Sequence, residues 1–356
     1  MGITKLAELI RSDVPEALSH KDISDYSGKA IALDTSIVLH QFRAAIPSTL
    51  NPLMGLFYRT IGFLEHDIKP VFVFDGKPPE EKRLTLEKRA KNAGWGSPKL
   101  SSTESSHIQD CQNLLKLLGV PVVQAPGDAE ALCAWLVKKG LVHGVASEDM
   151  DTLPFGAAVL IRQFNANKFG EIVEYSLAKL LEKLQITHEE FVDLCILLGC
   201  DYCEKITGFG PKRALTLIQK HRTIENIVLH INQQTHPVPE FWKYKEARDL
   251  FLGLPETEPP ELTWSEPDEE ALVQFLCRTK YFKEDRVRNR MERFREVREF
   301  RRKEREKARA AGPSKQTHME DFFKCTRKRT QPLENASSTK RTRSSSEITR
   351  PTMDTC

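Results

Sequence analysis

Ala30-Ile31-Ala32-Leu33-Asp34 and Val71-Phe72-Val73-Phe74-Asp75-Gly76 share one pattern: a short, unbroken apolar run that ends on an aspartate. A run without polar alternation reads as a strand buried on both faces, as in a parallel sheet covered by helices. A third run, Val142 to Ala146, precedes Asp149 and Asp151. In an open α/β sheet, ligands bind in the crevice beyond the carboxyl ends of the strands, so acids just past those ends are expected to converge. Asp128 and Glu130 join them if Gly127-Asp128 starts the helical pattern Ala129 to Val137, because first-turn acids suit a helix N-terminus. Asp201 joins from just beyond Gly199, the stop of a buried helical pattern over residues 189–199.

Seven gathered carboxylates need a cation. Two of them about 4 Å apart repel by roughly 4 kcal/mol at an effective dielectric near 20. Hard divalent ions with oxygen ligands cancel that cost, and Mg²⁺ is favoured because it accepts a few carboxylates and keeps water and substrate phosphate as its other ligands. No His-Cys cage competes around these positions. The set is what a metal-dependent phosphodiester nuclease requires.

Outward from these runs, strand patterns at 30–33, 71–74, 120–123, 142–146 and 158–162 alternate with helical patterns at 53–66, 107–118, 129–139 and 176–184. That alternation predicts a mostly parallel central sheet flanked by helices. Residues 79–92 read as a charged helix on which Lys82 and Arg89 share a face. They could reach a scissile phosphate, or stand as a solvated face paired with Glu81 and Glu87. Gly94 to Ser106, with five Ser, reads as a loop. Ile206 to Leu215 reads as a glycine hairpin entering a helix: Gly208 and Gly210 permit close approach of a phosphate, Pro211 fits the first helical position, and Lys212 and Arg213 flank the exposed amides. A tight helix-helix turn with solvated bases fits the same residues.

At 356 residues, with 40% apolar and 29% charged content, the composition is that of an ordinary globular chain of one or two domains. No run is apolar enough to span a membrane, and Lys5, Glu8 and Arg11 break any signal peptide. Eight scattered cysteines predict a reducing compartment, and the CxxC of Cys200 and Cys203, lacking a second pair, reads as packed thiols. The net charge of +3 hides an asymmetry: from Arg286 onward 21 Lys and Arg face 10 Asp and Glu, which leaves the preceding residues acidic. An acidic body with a basic tail suits a metal site whose chain must also meet a polyanion. A charged helix is expected over 287–310, with disorder beyond Gly312-Pro313. One apolar island interrupts that tail, Gln316 to Phe323, where a turn of helix would align Met319, Phe322 and Phe323 as a plug for a partner's groove. Arg327 to Arg329 and Lys340 to Arg343 form a two-part basic cluster consistent with nuclear import or nucleic-acid contact.

Taken together, Met1-Gly2-Ile3, Ile31 to Ser36, Lys69 to Pro79, Ala125 to Ala131, Ser147 to Asp151 and Glu190 to Ala214 closely resemble the eukaryotic flap endonucleases, structure-specific 5′ nucleases of replication and repair. The similarity runs to about Phe323. It implies a PIN-like 5′ nuclease fold and two Mg²⁺ ions, with Mn²⁺ as a substitute: Asp34, Asp75, Asp128 and Glu130 on the first, Asp149, Asp151 and Asp201 on the second. It implies that Lys82 and Arg89 activate the scissile phosphate. His40, Arg59, Gly199, Gly208, Gly210, Lys212 and Arg213 would hold flap or gapped DNA, with Asp128 and Asp201 facing it. Gln316, Met319, Phe322 and Phe323 would dock on the sliding clamp, proliferating cell nuclear antigen, as a monomer with up to three chains per ring. The expected location is the nucleus, with nucleolus and mitochondrion as further sites. The regions implied are an N-terminal nuclease region (1–93), an arch loop (94–110), an internal nuclease region with the hairpin (111–224), a C-terminal helical region (225–312) and the basic tail (313–356).

The chain departs from the family pattern at several points. Asp128 stands where Glu is usual, so its shorter side chain predicts a water-mediated metal contact. His40 replaces a stacking Tyr, and Lys205 replaces a Ser near a monovalent-ion site. The 43–52 loop, which in the family forms part of the 3′-flap pocket, and the 89–107 segment, which completes the arch, are both short, and the short arch predicts relaxed selection of the free 5′ end. A non-catalytic, clamp-tethered junction binder and a related 5′ exonuclease are the alternative readings. Seven retained acids argue against the first.

Overall fold

The computed structural model describes residues 2–35, 52–92, 102–165, 171–253 and 258–310. His40, residues 94–101 of the arch segment and the 316–323 island therefore lie outside the described residues. Two compact units divide at Arg302. The first is described below; of the second, only the end of the C-terminal helix is described.

Among the described residues, seven strands make one sheet: β1 (Leu18–Lys21), β2 (Ala30–Asp34), β3 (Lys69–Phe74), β4 (Val122–Gln124), β5 (Gly144–Ala146), β6 (Val159–Arg162) and β7 (Ile172–Ser176), in the order β1-β7-β6-β5-β2-β3-β4. From β6 to β4 every neighbouring pair is parallel, and β7 and β1 continue antiparallel. The order runs outward in both directions from β2, with β3 on one side and β5 on the other. The carboxyl ends of β2 and β5 therefore form the topological switch point where such sheets bind ligands.

The helices are α1 (Leu6–Asp13), α2 (Pro52–Glu65), α3 (Arg83–Asn92), α4 (Ser102–Leu117), α5 (Ala129–Lys138), α6 (Leu177–Leu184), α7 (His188–Leu198), α8 (Pro211–His221), α9 (Ile224–His230), α10 (Tyr244–Leu252), α11 (Glu269–Val273) and α12 (Glu284–Ala310). Strand alternation splits the core in two. Ala32, Val71, Val73, Val145 and Leu160 face one layer with α1 and α5 to α10, whereas Ile31, Leu33, Phe72, Phe74 and Ile161 face the other with α2, α4, α11 and α12. This is why Ile31 to Leu33 and Val71 to Phe74 form unbroken apolar runs: each of these residues has a covered face to fill. No described helix is long and apolar enough to cross a membrane.

The structure corrects several local expectations. Residues 102–106, expected in the loop and the 94–110 arch segment, form the first turn of α4. Serines disfavour helix interiors but suit helix starts, and Cys111, Leu114 and Leu115 pack α4 into the core. Strand β4 begins after Pro121, which has no N–H to give the ladder. The edge strand β1 and its antiparallel neighbour β7 lie outside the expected set. Both are only partly buried, so neither shows the apolar run that marks β2 and β3.

Candidate metal centre

Each acid owes its place to a local device. Asp34 ends β2, opposite Val73 in register, and is 1% exposed. Asp75 leaves β3, and its Oδ1 accepts from the Ala129 amide at 2.8 Å. Asp75, rather than Asp128, thus caps α5: Asp128 occupies the N-cap position without a capping hydrogen bond of its own. Gly76 makes this approach feasible. Its amide donates to the Gly127 carbonyl at 2.7 Å, and a Cβ there would fall 2.1 Å from the Ala125 carbonyl oxygen.

Freed from capping, Asp128 turns inward. Its Oδ1 lies 3.0 Å from Lys82 Nζ, and its Oδ2 accepts from the Tyr202 hydroxyl at 2.6 Å. Asp149 accepts from the Asp151 amide at 3.1 Å in the turn after β5, while its own amide donates to Ser147 Oγ at 3.0 Å. Asp201 follows Gly199, whose φ of 106° ends α7 in a conformation that glycine adopts without strain. Asp201 Oδ1 accepts from Arg89 Nη2 at 2.6 Å, and its carbonyl accepts from Thr85 Oγ1 at 2.8 Å.

Asp75, Asp128 and Glu130 each offer an oxygen within 4.8 Å of the others. The shorter Asp128 side chain thus still places an oxygen in this group of three. Glu130 Oε2 and Asp151 Oδ1 are buried and have no hydrogen-bond partner among the described residues. Burial, then the charges of Asp34, Asp75 and Asp149, hold the Glu130 carboxyl well above the ordinary range, with Lys82 opposing. Burial raises Asp151 likewise, helped by Asp149, Asp201 and Glu130. These couplings tie six of the acids into one electrostatic unit, and Lys82 links Asp128 to it. Burial alone would lower the Lys82 ammonium, but Glu130, Asp128 and Asp201 outweigh it and raise it above the usual lysine range. All the cluster's acidic donors are carboxylate oxygens, and buried oxygens left without partners suit a hard divalent cation.

Lys82 and Arg89 do meet the acids, although not on one continuous helix: Lys82 closes a 3₁₀ turn, Glu80–Lys82, and Arg89 lies in α3. Arg59 stands on α2. Its Nη2 donates to the Phe164 carbonyl at 2.8 Å and its guanidinium packs over the Phe63 ring, where burial lowers it to about 10. The glycine hairpin forms as expected: Gly208 takes φ +84°, Gly210 is the N-cap of α8, and Pro211 opens it. Lys212 is exposed and pairs with Asp13 at 2.7 Å, and Arg213 lies over the Phe209 ring.

Tyr202, Thr85, Ser147 and Gly2 belong to the site although the sequence reading assigned them no role. A Cβ on Gly2 would fall 1.7 Å from Asp149 Oδ1 and 2.3 Å from Asp151 Oδ1, so the start of the chain lies against the acids. The signal for Tyr202 was its position beside Asp201; for Gly2 there was only the glycine itself.

The profile of the XPG N-terminal domain matches residues 1–93, and that of the XPG I-region matches residues 119–201. Among solved structures, the catalytic core of Rad2 in complex with DNA substrate superposes with a TM-score of 0.69 over 82% of this chain and all of that one, at 22% identity, a likeness of fold. Flap endonuclease-1 from Methanococcus jannaschii is 27% identical, with a TM-score of 0.64 over 79% of this chain and 96% of that one. A probable flap endonuclease 1 homolog of Danio rerio is 61% identical over 331 residues, covering 92% of this chain and 95% of the relative. The chain belongs to the flap endonuclease 1 family, nucleases that hydrolyse phosphodiester bonds and are typically metal-dependent.

Proposed function

We propose that the chain is a structure-specific 5′-flap endonuclease with 5′–3′ exonuclease activity, hydrolysing DNA at flap junctions in Okazaki fragment processing and long-patch base excision repair. The observation that carries this reading is the convergence of seven acids with Lys82 and Arg89 at the sheet's switch point. Asp34, Asp75, Asp128 and Glu130 would hold one Mg²⁺, and Asp149, Asp151 and Asp201 would hold a second, with Mn²⁺ able to substitute. Bound there, the pair supplies water activation, stabilisation of the leaving oxygen and a clamp on the phosphate.

The chain's own groups do the rest. Tyr202 fixes the orientation of Asp128 through its hydroxyl. Lys82 and Arg89 rest on Asp128 and Asp201, and their charge would be available to a phosphate seated beside those carboxylates. The Gly208 to Arg213 hairpin offers backbone amides and two bases to a DNA backbone, which supports sequence-independent binding. The 316–323 island fits docking on the sliding clamp, and the basic tail clusters fit nuclear import. A labelled double-flap substrate tests the whole reading. The parent protein should cut at the flap junction with Mg²⁺ and not with a chelator, and Asp151→Ala should cut about 10²- to 10³-fold more slowly, the scale of losing one preorganised electrostatic group. Unchanged cutting by Asp151→Ala would remove this acid from the mechanism.

A further inference from the structure

We infer that Cys200 and Cys203 form a redox modification site, a thiol pair that peroxide-class oxidants close into an intrachain disulfide and so disable the acid cluster beside it. Their sulfurs lie 3.8 Å apart. Both are half-buried free thiols on the wall of a cleft of about 670 Å³ that also exposes Arg89, Asp201 and Lys205. By contrast Cys111, Cys133 and Cys195 are buried in the core. An S–S bond of about 2.05 Å requires the two sulfurs to approach by under 2 Å, a movement local to the bends that follow α7.

What lies between the sulfurs gives the closure its consequence. The two intervening residues are Asp201 and Tyr202. Asp201 holds Arg89 through its carboxylate and Thr85 through its carbonyl, and Tyr202 holds Asp128. Drawing the cysteines together turns the backbone that aims both side chains, so one bond disturbs both the Asp128 and the Asp201 sides of the cluster.

The chemistry balances with hydrogen peroxide as oxidant. One thiolate attacks a peroxide oxygen, the O–O bond breaks and hydroxide leaves, giving a sulfenic acid. The second thiolate attacks that sulfur, the S–O bond breaks and a second hydroxide leaves. The thiols give up two electrons and two protons, and the peroxide becomes two waters.

The disulfide stands on geometry alone, whereas its effect on cleavage rests on the proposed nuclease function. The test uses the full chain with Cys277, Cys325 and Cys356 replaced by Ser, treated with peroxide in chelator and in Mg²⁺. Cys200 and Cys203 should both become resistant to alkylation until a reductant is added, with peptide mass spectrometry showing them joined. Calorimetric Mg²⁺ affinity and flap cleavage should fall together by about 10- to 100-fold, the usual cost of disturbing groups that orient metal ligands, and both should recover on reduction. Cys200→Ser and, separately, Cys203→Ala should keep their Mg²⁺ affinity through peroxide treatment. Persistent alkylation of both thiols overturns the proposal, as does a joined pair with unchanged Mg²⁺ affinity or an equal loss in either variant. An untreated parent that binds Mg²⁺ but cuts no flap would instead overturn the nuclease reading, leaving the disulfide and Mg²⁺ results to decide the switch.

Discussion

Two carboxylate groups, each centred on a buried aspartate, lie in the same unit and are built in opposite ways. Around Asp193, Arg248 donates from Nε and Nη2 at 2.7 and 2.8 Å, the Ile224 amide adds a third hydrogen bond at 3.1 Å, and Glu225 takes the guanidinium's remaining side at 2.9 and 3.1 Å. That group is closed. Around Asp151, seven acids gather beside Lys82 and Arg89, and two buried oxygens have no hydrogen-bond partner among the described residues. Burial raises Asp193 as it raises Asp151, but Arg248 pulls the first back while only further acids stand among the chief neighbours of the second. Burial of charge therefore does not by itself mark a functional site. Carboxylate oxygens that the chain leaves unmatched do, because folding tolerates them only where something outside the chain completes them.

The largest effect expected from this contrast is at the closed group. Arg248→Ala leaves Asp193 buried and uncompensated and should cost about 3–5 kcal/mol in urea unfolding, while the folded fraction keeps its Mg²⁺ affinity. A loss of Mg²⁺ affinity per folded molecule would mean that the two groups are not independent. At the open group, Tyr202→Phe removes one hydroxyl and leaves the ring. Mg²⁺ affinity should drop about tenfold, near the lower end of what loss of a ligand's orienting partner costs, with little change in urea midpoint. The reverse pattern would make Tyr202 a packing residue only.

The smallest effect is in pH dependence. Glu130 and Asp151 hold their protons more tightly folded than unfolded, so their favourable contribution is present at low pH and lost as pH rises through their raised values. In chelator, the parent should lose thermal stability relative to Asp151→Asn as pH climbs from about 5 to about 8, by a degree-scale difference that saturating Mg²⁺ reverses. Parallel melting curves for parent and variant would show that the acids are not strained without metal. Calorimetry in two buffers of different ionisation enthalpy reads the same effect as protons released when Mg²⁺ binds.

Much of the site was legible because strand-end acids are a local signal. The apolar runs before Asp34, Asp75 and Asp149 announce both strand and exit, and a parallel sheet brings such exits together whatever the loops do. Local signals failed where a contact was made at long range. The capping of α5 by Asp75 rather than Asp128, the Tyr202 to Asp128 hydrogen bond and the burial of Arg59 against Phe164 join residues far apart in the chain. Strand β1, at the sheet edge, and β7 beside it carry no such signal for a related reason: a half-exposed antiparallel pair demands no apolar run, and β1 is defined by its register with Tyr175 to Ile172.

The amino-acid order alone determined that acids would stand at the mouths of parallel strands, since apolar runs and their terminating aspartates follow from backbone period and burial. Only the tertiary structure decided how those acids are used: which one caps a helix, which two keep an unmatched oxygen, and which bases rest on them. Those outcomes depend on ångström-scale distances between elements remote in sequence, and no periodicity along the chain encodes them.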